Sequence, residues 1–198
     1  MQHDASASRR TANPGRLVYL MGPSGAGKDS LLDAARSALQ CQHVEIARRV
    51  ITRSAEAKGE DALAVSLEQF EQMSAEGAFA LQWRANGLAY GIPAQIDAWL
   101  AEGRTVLVNG SRAHLPLARE RYPQLLPVLL SVAPQVLRQR LLSRGRESQE
   151  DIERRMERAQ QVQVADRDVQ VLDNSTSLSA AVQGLLVLLH QQGLLGSS

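Results

Sequence analysis

An α/β sandwich of three layers, with a central, mainly parallel sheet and helices on both faces, is predicted for this 198-residue chain. Two observations carry that reading. Short apolar runs alternate with amphipathic helical segments, the pattern of strands buried on both faces and joined by helical crossovers. A glycine-rich turn also separates the first such run from the first such helix. No internal repeat and no long linker interrupts the chain, so residues 15–193 read as one domain. A polar tail precedes it over residues 1–14 and a short one follows over 194–198.

The elements follow in order. Residues 16–21 (RLVYLM) are a predicted buried strand, and residues 29–39 a helix whose apolar side is Leu31, Leu32, Ala35 and Leu39. Residues 43–51 are expected to form a second strand. Ser66 with Gln69 three positions later is a capping-box signature, opening a helix that Gly77 closes. Residues 79–83 look extended, and Pro93 is expected to start a helix with Ile96, Trp99 and Leu100 inward and Gly103 as its stop. Strands are expected at 105–108 and 125–132, helices at 134–143 and 148–165, and a last strand at 169–172. Leu178, Val182, Leu185 and Leu189 trace the apolar stripe of a closing helix.

Composition narrows the function. Hydrophobic residues make up 44% of the chain and charged residues 22%, enough for a core that needs no staple. Cys41 is the one cysteine, so no internal disulfide can form and a reducing, cytoplasmic setting is expected. The net charge is +1, which argues against a general nucleic-acid binder. No apolar run approaches the roughly 20 residues that span a bilayer. The first fourteen residues lack the apolar centre of a secretory signal, so neither membrane nor nucleic acid is an expected partner. Of 22 basic residues only Lys28 and Lys58 are lysine, which singles out Lys28 in the loop described next.

Gly22-Pro23-Ser24-Gly25-Ala26-Gly27-Lys28 has the G-x-x-x-x-G-K spacing of a P-loop, after a strand and before a helix. Glycines let successive N–H groups curl toward phosphate oxygens, the helix N-terminus adds partial positive charge, and a lysine reaches the β- and γ-phosphates. ATP, with Mg²⁺ carried on its triphosphate, is the expected co-substrate. The residue that usually ligates Mg²⁺ here is Ser or Thr; in this chain it is Asp29, followed by Ser30. A carboxylate beside a triphosphate calls for a cation between them, so Asp29 is expected to face the metal, with Ser30 as the rival ligand. Plain charge compensation at the helix start is the other reading of Asp29.

Past this loop the chain resembles the guanylate-kinase branch of the P-loop kinases. Thr52-Arg53 with Gly59-Glu60, the run Val65 to Phe70, Tyr90-Gly91, and Leu141 to Gly145 with Ile152 and Arg155 look like that family's segments, in order over residues 16–175. The resemblance implies a P-loop kinase sandwich with a small acceptor-binding insertion at about 52–92 and a helical lid at about 138–160. It departs where guanine would be read: the two carboxylate positions hold Gln82 and Asn109, a phosphate-binding arginine falls at Glu56, and a tyrosine falls around Ala62-Leu63. Those changes argue against guanylate as acceptor. The strings GPSGAGKDSLL, ITR, FAL-x-W-x-ANGL, YG and VLVNGSRAHLP look more like the ribose 1,5-bisphosphate phosphokinases of that superfamily, which are linked to phosphonate breakdown. The implied reaction moves the ATP γ-phosphoryl onto a sugar phosphate, and the product is 5-phosphoribosyl 1-diphosphate (PRPP).

Roles follow from the resemblance. Lys28, Arg144 and Arg155 are expected at the transferring phosphoryl group, Arg146 at the nucleotide, with Gly145 as a hinge. Arg53, Tyr90 and Arg112 are expected at the acceptor, with Gln82 and Asn109 on sugar hydroxyls. Seven arginines lie between Arg138 and Arg158 among five acids, so a paired, solvated helix face competes with a phosphate role for each. His114 is the nearest candidate base, although an already ionised phosphate acceptor requires none. Rival readings are guanylate kinase, another small-molecule P-loop kinase, or a non-catalytic binding module of the same fold. The resemblance leaves a homodimer open.

Overall fold

The computed structural model describes residues 15–53, 61–143, 148–160 and 168–195. In chain order these form β1 (Leu17–Met21), α1 (Lys28–Gln40), β2 (Val44–Ile46), β3 (Val50–Ile51), β4 (Leu63–Ala64) and α2 (Leu67–Ala75). Next come β5 (Phe79–Ala85), β6 (Leu88–Pro93), α3 (Gln95–Ala101), β7 (Thr105–Asn109) and a 3₁₀ turn (Arg112–His114). The chain continues with α4 (Leu115–Arg121), β8 (Leu126–Ser131), α5 (Pro134–Ser143), α6 (Gln149–Gln160), β9 (Gln170–Asp173) and α7 (Leu178–Gln191).

The main sheet runs β2-β7-β1-β8-β9, every neighbouring pair parallel. All five residues of β1 are buried, as its central place and two covered faces require. On one face Leu31 and Leu39 of α1 and Leu185 and Leu189 of α7 pack on Leu20, Leu107 and Leu130. On the other, Ile96 of α3 and Leu115 and Ala118 of α4 pack on Tyr19 and Val108. The chain leaves β1 toward β2 on one side and later returns to β8 and β9 on the other. The carboxyl end of β1 is thus a switch point, where α/β sheets open a crevice for ligands.

A second sheet, β4-β3-β6-β5, stands beside the first. Here β3 pairs parallel with β4, while β3–β6 and β5–β6 are antiparallel. Its outer face is covered by α2 through Phe70, whose ring stacks on Phe79 at 4.6 Å. The third body is the helical pair α5 and α6, closed by Leu137, Leu141, Ile152 and Met156.

The sandwich, the helix after the glycine-rich turn and the Ser66–Gln69 capping box are as expected; Ser66 Oγ accepts from Gln69 N at 3.1 Å and Gln69 Oε1 from Ser66 N at 2.8 Å. Four expectations change. Residues 43–51 are two strands in different sheets, because Ala47-Arg48-Arg49 carries the chain from one to the other and places a guanidinium in the interior. Pro93 ends β6, paired with Phe79, and α3 begins at Gln95; proline's fixed φ suits either place. Leu178 is exposed at the first turn of α7, and the buried stripe is Ala181, Leu185 and Leu189. Leu194 and Leu195, assigned to a tail, pack against the core, and the Leu194 carbonyl accepts from Thr105 Oγ1 at 3.0 Å.

Candidate active site

A cleft of about 670 Å³ opens at the carboxyl ends of β1 and β7, walled by the glycine-rich loop, the β5–β6 hairpin and α6. The loop's shape depends on two left-handed glycines, Gly25 (φ 93°) and Gly27 (φ 88°). At Gly27 a Cβ would also come within 2.8 Å of Asn174 Nδ2, so the position excludes side chains twice over. The loop is held from behind: Ala26 O accepts from Asn174 Nδ2 at 2.7 Å and from Arg140 Nη1 at 3.4 Å. Arg140 Nη2 closes the frame by donating to Asn174 O at 2.9 Å. Lys28 Nζ donates to the carbonyls of Gly22 (2.9 Å) and Pro23 (3.2 Å), so its charge is folded over the loop that would cradle phosphate.

Opposite the loop lies an aromatic wall. Trp83 and Tyr90 face each other across the hairpin with rings 5.5 Å apart and 6° from parallel, and His114 stacks on the other side of Trp83 at 5.5 Å. The Arg49 guanidinium lies 5.2 Å from the Tyr90 ring, in the range of a cation–π contact. Burial lowers the His114 pKa, which keeps its imidazole neutral at pH 7. The hairpin's tip is Asn86-Gly87 (φ 51° and 76°), the positive-φ pair of a type I′ turn.

Between loop and wall stands a polar ridge. Asn109, 2% exposed, donates from Nδ2 to Asp29 Oδ1. Arg49 Nη2 lies 4.0 Å from the same oxygen, and Arg49 Nη1 donates to Asn109 O at 3.0 Å. Arg49 thus adds positive charge beside Asp29 Oδ1. Next along, Tyr19 Oη accepts from Ser111 N and donates to Ser111 O, both at 3.0 Å, fixing the turn that aims Arg112 into the cleft. Burial pushes the Tyr19 phenol up to about 12. Burial also lowers the Arg112 pKa, the cost of holding a guanidinium out of water, and Arg112 Nη1 has no hydrogen-bond partner.

The helix α6 spans the mouth. Arg155 Nη1 donates to Ser24 Oγ at 2.9 Å on the loop, and Arg158 Nη1 donates to Asn86 Oδ1 at 3.1 Å on the hairpin. Arg112 Nη2 reaches Arg158 O at 3.5 Å.

Of the residues expected here, the structure gathers Gly22, Pro23, Ser24, Gly25, Gly27, Lys28, Asp29, Ser30, Tyr90, Asn109, Arg112 and Arg155 around one space. Ala26 is buried behind the loop. Gln82 is a correction: it is exposed on the opposite side of β5 from Trp83, accepting from Ser74 Oγ at 2.8 Å, because side chains alternate along a strand. Arg53, half-buried just beyond β3, is not among the residues that line the cleft. Arg144, Gly145, Arg146, Glu56, Gly59 and Glu60 lie outside the described residues.

Arg49, Trp83, Asn86, Arg158 and the supporting pair Arg140–Asn174 were not anticipated. Arg49 had a signal, a charged residue inside an apolar run. Asn86-Gly87 had a stronger one, since reading it as a hairpin turn pairs Trp83 with Tyr90. Nothing local marks Asn174.

No cluster of three or more His, Cys, Asp or Glu among the described residues could cage a metal. The donors at the start of α1, one carboxylate and one hydroxyl, suit a Mg²⁺ that keeps its waters and most of its bonds to a triphosphate. No described helix is long and apolar enough to cross a membrane.

Comparison with known proteins gives the same picture. The guanylate kinase family profile matches residues 14–191. The ribose 1,5-bisphosphate phosphokinase PhnN of Azotobacter vinelandii is 61% identical over 178 residues, covering 90% of this chain and 97% of that protein. The protein of the same name in Pseudomonas paraeruginosa is 60% identical over 88% of this chain and 95% of its own length. The crystal structure of guanylate kinase from Anaplasma phagocytophilum superposes with a TM-score of 0.66 at 16% identity, over 91% of this chain and 87% of that one, a likeness of fold alone.

Proposed function

The chain belongs to the guanylate kinase family and, within it, to the ribose 1,5-bisphosphate phosphokinases; from that membership we propose that it transfers the γ-phosphoryl group of ATP to the 1-phosphate of ribose 1,5-bisphosphate. The products are 5-phospho-α-D-ribose 1-diphosphate and ADP. One observation carries the reading: relatives of that name share about three-fifths of the residues over nearly their whole length. The cleft supports it, with a complete phosphate loop facing arginines and an aromatic wall across one cavity.

In this reading a terminal oxygen of the 1-phosphate attacks the γ-phosphorus, the bond to the β–γ bridging oxygen breaks, and ADP leaves with its electron pair. The nucleophile is ionised at neutral pH, so no base is required, and positioning with charge neutralisation does the work. Mg²⁺ bound with ATP would supply neutralisation of the triphosphate charge, and Ser30 is the side chain that would hold it. The loop amides and Lys28 take the donor phosphates. Arg155, reaching the loop from α6, steadies the group in flight, and Arg144 and Arg146 are assigned to the same lid. Arg112 and Arg49 receive the acceptor's phosphate, and the sugar lies along Trp83 and Tyr90. Two multiply charged ligands in one cleft favour arginine, whose fork pairs with phosphate bidentately.

The deciding experiment incubates the protein with ATP, Mg²⁺ and ribose 1,5-bisphosphate and identifies the product by mass. The diphosphate together with one ADP per turnover supports the reading. Turnover of guanylate in its place, or ATP binding with no transfer to any phosphate acceptor, would sink it.

A further inference from the structure

The residue after the phosphate-loop lysine is tied to the acceptor side of the cleft rather than standing free beside the nucleotide. Asp29 Oδ1 accepts from Asn109 Nδ2, and a carboxylate can only accept, so the orientation of the Asn109 amide follows from chemistry alone. The NH₂ end faces Asp29, and the carbonyl end, Oδ1, is left without a hydrogen-bond partner in a side chain only 2% exposed. A buried oxygen in that state calls for a donor. A phosphate oxygen cannot be one. A sugar hydroxyl can. Arg49 reinforces the arrangement, its Nη1 on the Asn109 carbonyl and its Nη2 4.0 Å from Asp29 Oδ1, so backbone and side chain are held from one guanidinium.

We propose that Asp29 is a positioning residue whose carboxylate locks the Asn109 amide with its oxygen toward the acceptor, so that a free ring hydroxyl of the sugar is a condition of good turnover. The inference rests on the functional reading above and deepens it by naming what the site demands of the sugar. It gives the departure from Ser or Thr after Lys28 a purpose on the acceptor side, while Ser30 remains for the metal. Without the carboxylate the amide is free to turn its NH₂ outward, and the demand for a donor is lost.

The test compares kcat/KM for ribose 1,5-bisphosphate with that for its 2-deoxy and 3-deoxy analogues. The native enzyme is expected to lose about 30-fold or more on one of the two, as sites built around a substrate hydroxyl do. N109A should bring that penalty within about 3-fold, since the oxygen is gone. D29L should do the same by freeing the amide, and a role of Asp29 confined to the metal would not move that ratio. D29N, isosteric and able to meet either end of the Asn109 amide, guards against a folding defect and should give an intermediate penalty. Equal use of ribose and both deoxy sugars by the native enzyme overturns the inference. So does full discrimination in the Asp29 variants, or a loss that added Mg²⁺ restores. Failure to turn over ribose 1,5-bisphosphate at all overturns the functional reading itself, and this inference with it.

Discussion

In the proposed reaction Trp83 and Arg112 would meet the acceptor by different physics, and the difference is measurable. Trp83 lines the cleft and stacks with both Tyr90 and His114, so removing it should loosen the aromatic wall and weaken sugar binding without touching the nucleotide. W83A is expected to raise the KM for ribose 1,5-bisphosphate about 5-fold, with W83F recovering most of it and the KM for ATP constant, as ring contacts of about 1 kcal/mol suggest. Arg112 is a charge held out of water with one nitrogen unpartnered, a state that an arriving phosphate relieves. R112A should therefore lower kcat/KM by about 30-fold or more, the ~2 kcal/mol of a lost phosphate clamp, in steady-state assays with the acceptor varied. The residues legible from the chain alone were those whose chemistry is local: the glycines and Lys28 of the loop, or Arg112 within a matching string. Gln82 was misplaced because a one-residue difference along a strand exchanges the two faces of the sheet, and only the alternation fixed by Trp83 and Tyr90 settles it.

Helices and strands were legible where a single period or cap dictates them. The Ser66–Gln69 box opens α2 as the spacing requires, and its bonds have a separable energy. S66A should lower unfolding stability by about 1 kcal/mol, seen as a shift of a few degrees in a thermal melt. Catalysis should be untouched, because α2 covers the outer face of the second sheet. Legibility failed where the chain changes sheets. Val44, Ile46, Val50 and Ile51 look like one apolar run, yet the first pair belongs to the main sheet and the second to the smaller one. The crossing at Ala47-Arg48-Arg49 is set by what surrounds Arg49: the Asn109 carbonyl, Asp29 and the Tyr90 ring, residues 60, 20 and 41 positions away. No window along the sequence contains that information. β6 differs, since the turn at Asn86-Gly87 is a local signal that announces it.

Across the whole molecule, the buried phenol beneath the cleft links stability to alkaline pH. Tyr19 holds its proton up to about 12 in the folded chain, whereas an unfolded tyrosine releases it near 10. Its contribution is therefore complete below pH 10 and fades as pH rises toward 12, by about 2 kcal/mol at most. Denaturant midpoints measured from pH 9 to 12 should fall steeply in the native protein and less so in Y19F, which has no proton to lose. Two arginines of α6 bridge the bodies of the fold at the mouth of the cleft, Arg155 on Ser24 and Arg158 on Asn86. One helix thereby fastens two shores of the same channel. If egress waits on those clasps, thickening the buffer with sucrose should slow the enzyme, and cutting the Asn86 tether with R158A should make it indifferent to the syrup; a native rate blind to viscosity excludes it.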